Sequence, residues 1–170
     1  MSAHKPLEGV KVVELASFVA APTAGRMMAE MGADVIRVES TAGDPWRFYG
    51  ANCGLPITDE ENPLFDIYNL GKKDIQLNTK TPEGKEILFH LLDEADVFIT
   101  NNRLKSLVRS GLDYESLKDR FPKLIYGLVT GYGQTGPDVD APGYDGVAFF
   151  SRSGMLADMA EPSGYPASAP

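Results

Sequence analysis

The side chains able to do chemistry in this chain gather at the ends of predicted strands, not in a familiar catalytic cluster. The loop Ala16–Ala21 places small residues ahead of a helix N-terminus. Such a terminus attracts anions through its free N–H groups and the helix dipole. Spacing alone favours the other reading, a tight strand–helix connection that binds nothing. The dinucleotide fingerprint G-x-G-x-x-G is absent. The region reads ASFVAAPTAG, with Gly25 already inside the helix, which disfavours a redox Rossmann enzyme. Lys80, in LNTKTPEGKE, lies between a strand and a helix start, where an ammonium either meets a phosphate or stands in solvent. Asn101, Asn102 and Arg103 stand where a strand ends, the end at which open α/β sheets bind ligands. Arg109 falls at a helix end, where its charge complements the dipole.

The glycine-rich segment Gly131–Gly146 either covers a reacting centre or is an unconstrained surface loop. Within it, Tyr144 and Asp145 of PGYD are the strongest candidates. Asp145 is also placed to cap a following helix, and the two roles are compatible. His4 and His90 read as bystanders, and Trp46 as packing. Cys53 has no C-x-x-C partner and no neighbouring His, which argues against thiol or metal chemistry.

The elements that must carry these residues alternate. Val10–Leu15 (VKVVEL) is short, β-branched and nearly continuous in apolar character, as a parallel strand covered on both faces should be. Pro22 suits the first position of a helix whose apolar stripe is Ala24, Met27, Met28 and Met31, with Gly32 as its stop. Asp34–Glu39, Asp74–Leu77, Ala95–Thr100 and Leu124–Thr130 are the remaining strands. Thr81 and Pro82 open a helix buried along Ile87, Leu88, Leu91 and Leu92. Arg103–Ser110 is a short helix with Leu104, Leu107 and Val108 inward and Gly111 as its stop. Asp113 caps another through Arg120, and Asp145 a last one through about Ser153. Ser40–Gly71 lacks periodicity, and a loop of that length is usually functional or wraps a partner. The alternation predicts an α/β fold, a Rossmann-like open parallel sheet with helices on both faces, residues 1–170 making one domain or part of a larger one.

At 170 residues and 43% hydrophobic, the chain can bury a sizeable core. Its net charge of −8 argues against nucleic acid, which requires a basic face. No apolar run is long enough to span a membrane, MSAHKPLEG lacks a signal peptide's apolar stretch, and one cysteine fits a reducing cytoplasm.

Leu7–Glu39 (LEGVKVVELASFVAAPTAGRMMAEMGADVIRVE), with KKDIQLNTKTPEGKEIL further on, closely resembles the N-terminal part of the class III (formyl-CoA transferase-like, CaiB/BaiF) coenzyme A transferases. Within that family the chain looks most like clostridial transferases of amino-acid fermentation, which move CoA between 2-hydroxy acids and their acyl-CoA partners. The resemblance implies that Val19 and Ala20 present backbone to the CoA pantetheine and phosphates. It implies that Ser40 faces the nucleotide, at a position where many relatives carry a basic residue, and that Leu77 and Lys80 line the nucleotide site. It also implies CoA contacts from Asn101, Asn102, Arg103 and Arg109, with NNRLK here where many relatives read NFRPG. Tyr144 and Asp145 match residues beside the active carboxylate. The racemase branch usually carries G-H-D there, so Tyr144 points to a transferase over an acyl-CoA racemase or hydratase-like relative.

The family's nucleophile is an aspartate in a G-D motif, which forms an enzyme–CoA thioester by way of a mixed anhydride. Gly43-Asp44 comes too early in the chain, and Asp158 lacks glycine-rich surroundings. The register of EPSGYPASAP with relatives implies that the nucleophile lies just beyond Pro170, within about one loop length (~4–6 residues). The resemblance implies acyl-CoA and a small carboxylic acid as substrates, no permanently bound cofactor and no metal. It also implies a small second domain and an interlocked homodimer in the cytoplasm. These residues would then be the N-terminal part of the large domain, inactive alone. A truncated nucleotide-binding module without turnover is the non-enzymatic alternative.

Overall fold

A computed structural model describes residues 4–58 and 60–160. The chain divides into two compact units between Val129 and Thr130. The first is built on five strands: β1 (Lys11–Leu15), β2 (Asp34–Glu39), β3 (Lys73–Gln76), β4 (Val97–Thr100) and β5 (Ile125–Leu128). They form one sheet in the order β3-β2-β1-β4-β5, and every pairing is parallel. The chain steps outward from β1 through β2 to β3, then returns to the other side of β1 for β4 and β5. Between β1 and β4 the winding reverses, and the loops at the two strands' C-terminal ends diverge there.

Helices cover both faces, as the near-continuous apolar strands require. On one face α1 (Ala20–Glu30) sets Ala21, Ala24 and Met28 against Val12, Val35 and Ile99. On the other, α4 (Pro82–Asp93), α5 (Leu104–Ser110) and α6 (Tyr114–Leu117) bring Leu88, Leu92, Leu107 and Leu117 onto Val13, Val38 and Phe98. Burying a side chain such as Leu88 or Phe98 stabilises by roughly 1.5–3 kcal/mol, and both are fully inaccessible. Thr81 caps α4 as expected, its hydroxyl accepting the Gly84 N–H at 3.2 Å. Asp113 caps α6 by accepting from Ser116 N–H, though α6 ends at Leu117, short of Arg120. Gly111 ends α5 in the left-handed conformation that a residue without Cβ adopts freely.

The stripe expected on α1 is displaced. Its buried residues are Ala21, Pro22 and Gly25, while Met27 and Met31 are exposed. The cause lies beneath the helix: a Cβ on Gly25 would stand 1.8 Å from the Glu14 carboxylate on β1. Only small residues can sit over Glu14, so Met27 and Met31 turn outward while Ala24 and Met28 of the expected stripe still meet the sheet. Ile87 and Val108 are likewise exposed, because Leu88 with Leu92, and Leu107, already fill the contacts that α4 and α5 make with the sheet. The segment 40–71 is not bare loop. It holds α2 (Trp46–Tyr49), a 3₁₀ turn (Gly50–Cys53) and α3 (Pro63–Asn69), the last capped by Asn62.

In the second unit Gly131 and Gly143 pass backbone to backbone; a Cβ on either would lie 2.5 Å from the other's Cα. A π-helical turn (Gly146–Ser151) and α7 (Met155–Asp158) follow. Asp145 precedes that turn, but its side chain makes no capping bond, because its backbone is already helical (φ −52°, ψ −46°). The Tyr144 carbonyl accepts the Val147 and Ala148 N–H groups instead. The ending EPSGYPASAP, read as leading toward the nucleophile motif, lies outside the described residues.

Candidate functional site

A cleft of about 370 Å³ opens at the C-terminal ends of the strands. Ala16 and Ser17 after β1, Ser40 and Ala42–Pro45 after β2, Leu77 and Thr79 after β3, and Asn102 after β4 all contribute to its wall. This is where an open α/β sheet binds ligands, because the diverging loops leave a crevice there.

Two staples hold the loop between β1 and α1. Asn101 is the first: its amide oxygen accepts the Ser17 N–H at 3.0 Å, and its Nδ2 donates to the Ser17 carbonyl at 2.7 Å. Thr100 reinforces it from within β4, donating from Oγ1 to the Leu15 carbonyl at 2.8 Å. Asp44 is the second: its two carboxylate oxygens accept the Phe18 N–H, each at 3.2 Å. Phe18 needs such restraint. Its φ is +62°, a left-handed conformation that costs a residue with Cβ about 1–2 kcal/mol.

Asp44 belongs to a buried ionic network running across the sheet. Parallel register sets Glu14 of β1, Arg37 of β2 and Asp74 of β3 in one row. Arg37 donates from Nη1 to Glu39 at 2.7 Å and to Asp74 at 3.0 Å, and from Nη2 to Asp44. Arg47 reaches in from α2 to Glu39 and Asp74. Lys72 bonds both Glu14 oxygens, the Pro22 carbonyl of α1 and Asn69 of α3. Glu14, Arg37, Glu39 and Asp44 are all at most 2% exposed.

The burial leaves its mark on the acids and bases. It pushes the Glu14 carboxyl up, against the pull of Lys72 and Arg37. It likewise pushes Lys72 down against the pull of Glu14, and Asp74 up. Burial alone would raise Glu39 too, but the Arg47 hydrogen bond, the Asp44 N–H and the Arg37 charge outweigh it and hold the carboxyl at about 2. The network, four carboxylates held by three cations, is a scaffold under the cleft floor.

Of the residues expected to touch ligand, Ser40, Leu77 and Asn102 line the cleft. Asn101 acts next to it as a staple, and Val19 and Ala20 continue the stapled loop into α1. Lys80 is exposed in the turn before α4, its N–H donating to Asn78 Oδ1. Arg103 and Arg109 are exposed at the two ends of α5. Tyr144 and Asp145 are exposed in the second unit. Trp46 packs, as read: it stacks on Tyr49 at 4.6 Å and donates from Nε1 to the Leu64 carbonyl. Among the described residues no group of three His, Cys, Asp or Glu is arranged to hold a metal ion, and no helix is long and apolar enough to cross a membrane.

CoA-transferase family III matches this sequence over residues 7–170. The chain belongs to that family. It is 51% identical over 158 residues to the cinnamoyl-CoA:phenyllactate CoA-transferase of Clostridium sporogenes, covering 93% of this chain and 38% of that protein. It is 45% identical over 161 residues to the (R)-2-hydroxy-4-methylpentanoate CoA-transferase of Clostridioides difficile, covering 95% and 40%. The crystal structure of a CaiB/BaiF family protein from Brucella suis superposes with a TM-score of 0.86 at 40% identity, over 98% of this chain and 44% of that one. The chain thus spans about two fifths of the length of these relatives.

Proposed function

We propose that the full-length protein transfers CoA between an acyl-CoA and a small 2-hydroxycarboxylic acid, and that the cleft over β1, β2 and β4 holds the nucleotide half of CoA. The reading rests on the cleft itself, a ligand-sized crevice at the switch point of a CoA-transferase sheet with a restrained loop on its wall. The names of the two clostridial relatives favour 2-hydroxy acids over other carboxylates.

In the proposed reaction an aspartate beyond Pro170 attacks the thioester carbonyl. The carbon–sulfur bond breaks, leaving an aspartyl mixed anhydride and CoA thiolate. The thiolate attacks the aspartyl carbonyl of the anhydride, releases the first acid as its carboxylate and leaves an enzyme–CoA thioester. The incoming carboxylate then runs the two steps in reverse. In this chain Val19, Ala20, Ser40, Leu77, Lys80, Asn101, Asn102, Arg103 and Arg109 serve CoA, and Tyr144 and Asp145 support the reacting carboxylate. The enzyme works as a cytoplasmic homodimer with no resident cofactor.

Hydroxylamine added to acyl-CoA-treated enzyme should label one aspartate downstream of Pro170, and initial rates should give parallel double-reciprocal lines. A label on Asp145 or Asp158, or intersecting lines, contradicts the proposal.

A further inference from the structure

We infer that Asp44 is a positioning residue for CoA, holding the β1–α1 loop in the shape that the nucleotide half requires. This rests on reading the cleft as the nucleotide site.

Asp44 ties together both loops on the near wall of the cleft. It is 2% exposed and follows β2 in the segment that lines the cleft. Its carboxylate reaches across to the Phe18 N–H of the other loop. The same two oxygens take Trp46 N–H at 2.9 Å and Arg37 Nη2. Its own N–H donates to Glu39 Oε1 at 2.5 Å. Every partner of the carboxylate is a donor, so the site demands two acceptor oxygens. Asparagine has Asp44's shape but only one such oxygen. Whichever way its amide turns, an NH₂ group meets an N–H or a guanidinium donor in a buried place.

The consequence reaches the cleft through Phe18. Its left-handed backbone is disfavoured for a residue with Cβ and persists where surroundings over-determine it. Asp44 and Asn101 hold the same Ser17–Phe18 peptide, Asp44 accepting its N–H and Asn101 donating to its carbonyl. Without Asp44 the loop relaxes toward ordinary φ and shifts the backbone that precedes α1. The Arg37 network thus acts on ligand indirectly, with Asp44 as its terminal contact.

The test compares CoA with pantetheine, which lacks the nucleotide, on the full-length enzyme. Wild type should bind CoA more tightly than pantetheine. In Asp44→Asn the CoA affinity should fall roughly tenfold or more, the loss expected of an ångström-scale misplacement. Pantetheine affinity should fall less than CoA affinity, because the displaced backbone meets pantetheine as well as the phosphates, and kcat at saturating acyl-CoA should hold, so that KM alone carries the change. Phe18→Pro is the second variant. It removes the N–H that Asp44 accepts and forbids positive φ, while leaving the Asp44–Arg37 pair in place. It should reproduce the selective loss of CoA affinity and decides the matter if Asp44→Asn does not fold. Wild-type discrimination retained in Phe18→Pro, or equal loss of CoA and pantetheine in both variants, overturns the inference. A wild-type enzyme that binds the two ligands equally overturns the nucleotide reading of the cleft, and this inference with it.

Discussion

Replacing Arg37 with methionine keeps most of the side-chain volume and removes the charge at the centre of the buried network. Arg37 is wholly inaccessible and hydrogen-bonds Glu39, Asp74 and Asp44, while its Nε lies 3.5 Å from Glu14 with no hydrogen bond of its own. The loss is not shared equally. Lys72 still answers Glu14, and Arg47 still answers Glu39 and Asp74. Asp44 keeps only backbone donors, from Phe18 and Trp46. One carboxylate is thus left buried without a cation. Breaking a buried pair from one side costs ~3–5 kcal/mol, and the surviving cations place this case near the low end, about 3 kcal/mol. The urea dependence is ~1–3 kcal/mol/M for small proteins and grows with chain length, so for the full-length protein the unfolding midpoint should fall by about 1 M or less at an unchanged slope. Urea titration of the full-length protein followed by circular dichroism reads this directly, with Lys11→Ala as control. The Lys11–Glu94 pair, at 2.8 Å, lies in solvent and should leave the midpoint in place. A midpoint for Arg37→Met no lower than that control would refute the reasoning, since the network would then contribute no more than a surface pair.

Gly25→Ala should destabilise by ~1–3 kcal/mol through overpacking, because the new Cβ meets Glu14 at 1.8 Å; an unchanged urea midpoint would contradict that packing. The pH dependence follows from Glu39, whose carboxyl is held at about 2 in the fold against an ordinary 4.5. Its folded value lies below the unfolded one, so its contribution, about 3 kcal/mol, is complete above about pH 4.5 and is lost as pH falls toward about 2. Glu39→Gln should flatten that acid limb, and a limb of wild-type steepness would refute the assignment. Lys80→Ala and Arg109→Ala should each weaken CoA binding about ten- to a hundredfold by calorimetry, with little change for a free 2-hydroxy acid. Unchanged CoA affinity in both would return these residues to solvated surface charges.

The sheet was legible because β-branched runs such as VKVVEL and DVIRVE carry their own signal, and Thr81-Pro82 and Gly111 mark helix ends by backbone chemistry alone. The face of α1 was legible only in part, because it is set by a charge on β1: Glu14 under Gly25 turns the helix so that Met27 and Met31 face solvent. The ionic row was missed for a related reason. Glu14, Arg37 and Asp74 lie on three strands far apart in sequence, and only the register makes them neighbours. Opposite charges at interior positions of three strands expected to be covered on both faces were the available clue, since buried charges occur paired. Asp44 was set aside as a nucleophile on grounds of position. Its contacts with Phe18 and Arg37 span 26 and 7 residues and leave no local pattern.

The most direct test of CoA recognition by this sheet is a crystal structure of the full-length protein with CoA bound. The nucleotide should occupy the cleft beyond β1, β2 and β4, in van der Waals contact (about 4 Å) with Ser40, Leu77 and Asn102, beside the stapled loop. A nucleotide seated elsewhere, for example in the hollow of about 240 Å³ lined by Phe65, Leu70 and Lys72, with the cleft empty, would contradict the account.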